Sequence, residues 1–305
     1  MLTYPKNLRE FDKNFLTDEA CLRFLEEVRW SSGFKCQSCE HDQFWELGPG
    51  LRRCQACRTK NFVRAGTIFE SSRLSLKIWF HAIWWATAQK TGINALNFQK
   101  NIGLGSYRSA WLLLHKIRTA MIHTDRSLLQ GEVEIDEAFI GGVRSGKRGR
   151  GAEGKELIVI AAECTGEKRV GRARIQRIPN ASADVLEAFI LANVAEGTTI
   201  HTDGWPSYNH LSNLGFKHLP RPSNTVDPDE LLPRVNIVTS LLKRWLLGTL
   251  HGRLDPKHMD QYFEEFVFRF NRRTSKVRGL LFQRVIENSI RVEPTPYRDI
   301  ISRKP

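Results

Sequence analysis

Apolar residues along this chain recur at a helical period in its first part and at a strand period in its middle. Thr17-Asp-Glu-Ala-Cys-Leu-Arg-Phe-Leu-Glu-Glu-Val-Arg-Trp30 spaces its apolar side chains three and four apart, which predicts an amphipathic helix capped by Thr17. Gly66-Thr-Ile-Phe predicts a short strand, and Leu74 to Gln89, with Trp79, Trp84 and Trp85, predicts a helix. From Gly92 to Arg118 the pattern gives a short helix, a glycine-containing turn and a second helix. This is the outline of a helix-turn-helix, although a plain helical hairpin fits the same residues. From Gln130 onward the period drops to two. Strands are predicted at Glu132–Ile135, Leu157–Ala162 and Val170–Ile178, a helix from Ser182 to Ala195, a strand at Thr198–His201 and another at Phe216–Leu219.

Two of these strands run into an acid: Gly131-Glu-Val-Glu-Ile-Asp136-Glu and Thr198-Thr-Ile-His-Thr-Asp203-Gly-Trp. A strand-terminal Asp is often only a turn or cap residue. Here a further predicted helix carries Asn236 and Lys243, seven residues and two helical turns apart, so both project from one face. Asp136, Asp203 and Asn236 offer three oxygen donors, the ligand type that Mg²⁺ prefers. Two such ions would clamp the attacking and leaving oxygens of a phosphodiester. Glu137 faces away from Asp136 on an ideal strand, and His201 shares a face with Asp203, where a packed strand histidine is the simpler reading.

Composition narrows the partner. The formal net charge of +13 favours a polyanion. An apolar content of 41% excludes wholesale disorder. No apolar run is long enough to span a bilayer and the N-terminus has no apolar signal core, so the expectation is a cytoplasmic, nucleoid-associated protein with no membrane partner. In that reducing setting cysteines read as metal ligands. Cys36-Gln-Ser-Cys39 and Cys54-Gln-Ala-Cys57, fourteen residues apart, form two knuckles that would complete a closed four-sulfur shell around one structural Zn²⁺. Phe34, Phe44, Trp45 and Leu51 are the expected packing around it; Cys21 and Cys164 read as buried fillers.

For DNA, the candidate contacts are Tyr107 and Arg108, with Ser106 and Ser109, at the start of the second helix of the helix-turn-helix. Arg144, Lys147, Arg148 and Arg150 sit in a glycine-rich stretch suited to gripping phosphates; a solvated linker is the plain alternative. The expected domains are helix plus zinc ribbon over 17–66, the helical DNA-binding domain over 67–128, an α/β catalytic domain over 130–285, and a tail over 286–305. Three strands, a crossover helix and a parallel strand bearing the second acid resemble the ribonuclease-H-like fold. There the first and fourth strands lie side by side, bringing Asp136 and Asp203 together at the carboxyl edge of a mixed sheet with flanking helices.

With these motifs on the page, the chain resembles bacterial insertion-sequence DNA transposases of the zinc-ribbon, ISXO-like group (the IS1595 family), from about Thr17 to Leu280. The matching stretches are Cys21-Leu-Arg-Phe-Leu-Glu-Glu-Val-Arg-Trp, the two knuckles, Ala65-Gly-Thr-Ile-Phe-Glu, Glu134-Ile-Asp-Glu-Ala-Phe-Ile-Gly-Gly, His201-Thr-Asp-Gly-Trp, Leu242-Lys-Arg-Trp-Leu-Leu-Gly-Thr-Leu-His-Gly and Tyr262-Phe-Glu-Glu-Phe-Val-Phe-Arg-Phe-Asn-Arg-Arg. The family pattern is Asp, Asp, then Glu, His or Asn with a Lys seven residues later, which selects Asp136, Asp203, Asn236 and Lys243. Many relatives carry Asn two residues before that Lys; this chain has Leu241, read here as a packing position. The resemblance implies cleavage at element ends and strand transfer with two Mg²⁺ or Mn²⁺ ions. It also implies double-stranded terminal inverted repeats and target DNA as partners, and a dimer or larger assembly. Two other readings are a ribonuclease-H-like nuclease without joining activity and a catalytically impaired, transposase-derived DNA-binding regulator.

Overall fold

The computed structural model describes residues 4–89, 91–122, 126–141, 155–167, 169–221, 231–251 and 254–302. It divides into two compact units, one formed by Met1–His123 with Thr274–Arg303, the other by Thr124–Arg273.

The first unit opens with helices α1 (Leu8–Asn14) and α2 (Asp18–Arg29). Thr17 caps α2 as its sequence position predicts, its hydroxyl accepting the Ala20 N–H at 3.2 Å. A three-stranded antiparallel sheet follows, β1 (Phe44–Gly48), β2 (Leu51–Cys54) and β3 (Lys60–Phe62). Gly66–Phe69 is a run of turns rather than the expected strand. The Arg64 guanidinium takes the carbonyls of Phe69, Ser72 and Leu74, and the Thr67 hydroxyl takes that of Arg64. The segment buries Ile68 and Phe69 in turns, with the Thr67 and Phe69 carbonyls taken by the Glu70 N–H and by Arg64 and the Ser72 N–H, and the Ile68 N–H donated to the Ser289 carbonyl.

Helix α3 (Leu76–Ala88) is capped by Ser75, with Asp18 of α2 accepting two of its first amides. Helices α4 (Ala95–Ile102) and α5 (Tyr107–Met121) pack together, with Phe98 of α4 and Ala110, Leu113 and Leu114 of α5 buried. Between them Gly103 terminates α4 at φ +72°, a left-handed conformation that glycine adopts without steric cost. The chain from Thr274, expected to divide between the catalytic domain and a tail, packs here as α9 (Gly279–Ser289) and α10 (Tyr297–Ile301). The physical reason is aromatic: the Phe282 ring lies 5.4 to 5.8 Å from Phe11, Phe15, Phe80 and Trp84.

The second unit is a five-stranded mixed sheet, β4 (Glu132–Ile140), β5 (Glu156–Cys164), β6 (Val170–Arg177), β7 (Thr199–Thr202) and β8 (Lys217–Pro220), in the order β6-β5-β4-β7-β8. The β4, β5 and β6 pairings are antiparallel; β4–β7 and β7–β8 are parallel. Helix α6 (Ala183–Asn193) makes the crossover and covers one face with Val133, Ile135, Val159 and Ile200. Helices α7 (Pro233–Leu250) and α8 (Met259–Phe270) cover the other with Ile140, Ile158, Ile160 and Ile175. Strand β4 does not end at Asp136 as its sequence suggests: the alternation continues to Ile140, paired with β5 throughout, while its pairing with β7 stops at Glu134.

Candidate functional site

Register brings the two acids together. Glu132, Val133 and Glu134 pair with Thr199, Ile200 and His201. Asp136 lies two residues further along β4, and Asp203 two residues beyond His201, just past the end of β7, close enough that its charge acts on Asp136. Alternation assigns the face of Asp136. Val133 and Ile135 belong to the α6 core, Ala138 and Ile140 to the α7–α8 core, so Asp136 looks toward α7. Asp136 Oδ1 accepts the Glu137 N–H at 2.8 Å, and Asp203 Oδ1 accepts the Trp205 N–H at 2.9 Å. Burial, then repulsion from Glu137 and Asp203, raises the Asp136 carboxyl to about 7 despite that amide. Such a group is relieved by a nearby cation, and carboxylate oxygens are the donors a hard divalent ion takes, so this pair fits Mg²⁺ or Mn²⁺.

Glu137 points to the opposite face, where its carboxylate accepts the hydroxyl of buried Tyr208. Burial and the Glu137 charge hold the Tyr208 phenol well above its ordinary range, so it stays a donor. His201, 5% exposed, lies on the Asp136 face, and neither ring nitrogen has a hydrogen-bond partner; Glu132 approaches its Nε2 at 3.5 Å.

Helix α7 carries the other two candidates. Asn236 and Lys243 are both exposed, on the stripe beside the buried row Val235, Val238, Leu242 and Leu246. Asn236 is not the cap of this helix: its N–H already bonds the Leu232 carbonyl at 3.0 Å, one full turn in. Leu241 packs against the α7–α8 core. Two contributors escaped sequence reasoning. Tyr208 had no signal beyond being an aromatic after Pro206. Glu134, fully buried, binds the first turn of α7; its signal was a charged residue at an inward position of an apolar strand, two before Asp136.

In the first unit the four cysteines converge, their sulfurs all within 4.8 Å of one another. Cys36 Sγ lies 3.5 Å from Cys57 Sγ, and Cys39 Sγ 3.6 Å from Cys54 Sγ. A tetrahedral zinc with ~2.3 Å bonds sets its sulfurs about 3.8 Å apart, so the cluster fits one ion. The knuckles are built alike: Glu40 and Arg58, each four residues after the first cysteine, have φ of +58° and +64°, and their amides bond back to Cys36 and Cys54. Phe34 and Phe44 pack here as expected, with Trp30 beside them, whereas Trp45 is 39% exposed with the Arg58 guanidinium 4.3 Å over its ring. Cys21 is buried and Cys164 half-buried.

Tyr107 and Arg108 open α5 on the surface, with the Arg108 guanidinium 3.9 Å over the Tyr297 ring. Stacking uses its face and leaves its N–H edge open. Arg144, Lys147, Arg148 and Arg150 lie outside the described residues. Among the described residues no helix is long and apolar enough to cross a membrane.

Comparison with known proteins matches two stretches of the chain. Residues 128–271 match the family model described as an ISXO2-like transposase domain, and residues 16–60 match that of a transposase zinc-ribbon domain. A protein of Halobacterium salinarum, described as an uncharacterized protein in transposable element ISH50, is 26% identical over 219 residues, spanning 65% of this chain and 71% of its own. Among solved structures, the simian T-cell lymphotropic virus intasome in complex with PP2A regulatory subunit B56 gamma is similar at 14% identity over 72% of this chain and 76% of that one. Its TM-score of 0.32 is too low to establish a common fold.

Proposed function

We propose, from the premise that this chain belongs to the IS1595 family of transposases, that it cuts DNA at the ends of its own element and joins them to target DNA, with Asp136, Asp203, Asn236 and Lys243 as its active site. One observation carries the reading: with Glu134 paired to His201, Asp136 on β4 and Asp203 just past β7 come close enough that the Asp203 charge acts on Asp136, and Asp136 faces the helix that bears Asn236 and Lys243. The strand order, with the first and fourth strands of the unit adjacent and parallel, supports a ribonuclease-H-like sheet.

Asp136 and Asp203 supply the anionic oxygens for two divalent ions and Asn236 a neutral amide oxygen. When bound, such ions activate water or a 3′-hydroxyl as nucleophile and stabilise the departing oxygen. Lys243, a point charge on a long stem, holds a phosphate next to the scissile bond. Tyr208 and Glu137 brace the strand behind Asp136. The ribbon and the α4–α5 pair bind the terminal repeats, with Tyr107 and Arg108 as base-edge contacts and Arg144, Lys147, Arg148 and Arg150 as phosphate contacts. Bringing two ends together requires at least two copies of the chain.

Cleavage of a labelled duplex carrying the terminal repeats, with Mg²⁺ or Mn²⁺, tests this. Asp136→Asn and Asn236→Ala should each lose about 10²–10³-fold in rate, Asn236→Asp should remain active, and Lys243→Ala should slow the reaction with ion binding unchanged. An Asn236→Ala protein of full activity would remove Asn236 from the site. A wild-type chain that binds the repeats but cuts them with neither ion would leave the regulator reading standing.

A further inference from the structure

The first turn of α7 shows how the fold presents Asn236. Of the first N–H groups of a helix, which lack helical partners, those of Arg234 and Val235 are taken here by a side chain from β4. Pro233 has no N–H, and the cap residue Leu232 contributes no side-chain bond. Arg234 and Val235 donate their backbone N–H groups to Glu134 Oε2 at 2.6 and 3.1 Å. Asn236 makes the first helical bond, to Leu232. Glu134, 0% exposed and a hundred residues earlier, therefore acts as the cap. Its Oε1 accepts Arg234 Nη1 at 2.9 Å, while Arg234 Nη2 reaches the carbonyls of Gly166 and Glu167 in the β5–β6 turn. One carboxylate thus ties strand β4, the β5–β6 turn and the positive end of α7's dipole.

Chain geometry gives this tie its consequence. Glu134 lies two residues before Asp136 on the same face of β4, and its amide partners lie one and two residues before Asn236. We infer that Glu134 is a positioning residue: it docks α7 on β4 and thereby sets where Asn236 stands relative to Asp136 and Asp203. The inference rests on the reading of those residues as ion ligands. Glutamine keeps the size of the side chain but replaces one of its two accepting oxygens with an NH₂, which must face either the two amides or Arg234 Nη1, and it removes the charge set against the helix dipole, so Glu134→Gln should loosen the turn without leaving a cavity.

The test uses the zinc-loaded full chain and Mn²⁺ alone as titrant, followed by calorimetry, with hydrogen exchange of α7 as a second readout. Asp136→Asn should abolish binding. Glu134→Gln should weaken it about tenfold and speed exchange in the first turn of α7. In an Asn236→Ala background Glu134→Gln should cost nothing further. Unchanged Mn²⁺ affinity in Glu134→Gln overturns the inference. So does a tenfold loss that persists in the Asn236→Ala background, because Glu134 would then act on the ions without Asn236. If Glu134→Gln does not fold, Arg234→Gln, which leaves both amides on Glu134, runs the same cycle with an expected loss of about threefold. An Asp136→Asn protein that binds Mn²⁺ like the wild type overturns the active-site reading itself, a result distinct from any failure of Glu134.

Discussion

Asp136 shows what a carboxylate loses when it is buried beside like charges. Its carboxyl is raised to about 7 by burial first, then by Glu137 and Asp203. The folded chain therefore holds this proton at pH values where the unfolded chain has released it. Stability of the metal-free protein should fall as pH rises from the ordinary carboxylate range to about 7, and level off above. Asp136→Asn removes the penalty, so urea unfolding should find it more stable than wild type by about 1–3 kcal/mol near pH 8, the gain shrinking toward pH 4. Parallel pH profiles for the two proteins would contradict the assignment. At this scale residue type and spacing are what single out the acids and Lys243 as candidates in the sequence. Neither Glu134 nor Tyr208 could be singled out, because their partners lie 100 residues away for Glu134 and 71 for Tyr208.

Among elements, the ribbon is the one whose fold depends on something other than burial. Its strands are short, Trp45 and Phe62 lie outside, and the apolar cluster buried at its centre is Phe34, Cys36 and Cys54, with buried Asn61 donating to the Cys36 sulfur. Metal binding to such a segment is folding free energy, about 10–16 kcal/mol for structural zinc. The purified protein should hold about one zinc per chain. Cys39→Ser or Cys57→Ser should lose it, with backbone exchange rising across β1–β3; full zinc retention in either variant would refute the four-sulfur site. The knuckles were legible because spacing alone defines them. Gly66–Phe69 reads as a strand because its apolar residues are buried, but they are buried in turns, held by Arg64 on the Phe69 carbonyl and by the Ile68 N–H on the distant Ser289 carbonyl. Phe282 similarly draws the C-terminal helix into the N-terminal core through contacts that no local pattern announces.

For the whole molecule the governing quantity is the +13 charge, far from what a soluble fold requires. If six or more phosphates are neutralised on binding, affinity for the terminal repeats should drop roughly 10³-fold or more between about 50 and 200 mM salt, as counterions are released. A flat response in a filter-binding or anisotropy titration would make the charge incidental. What the sequence determined by itself is whatever a short window encodes: the period of each helix and strand, the cysteine spacing, the acid at each strand's approach to the sheet edge, and the two-turn interval from Asn236 to Lys243. What only the tertiary structure decided is who meets whom. The pairing of Glu134 with His201 brings Asp136 within reach of the Asp203 charge, alternation sends Glu137 to Tyr208, and a buried carboxylate on β4 binds the first turn of the helix that carries Asn236. Those pairings arise from packing and hydrogen bonding between segments far apart in the chain, which no local pattern can specify.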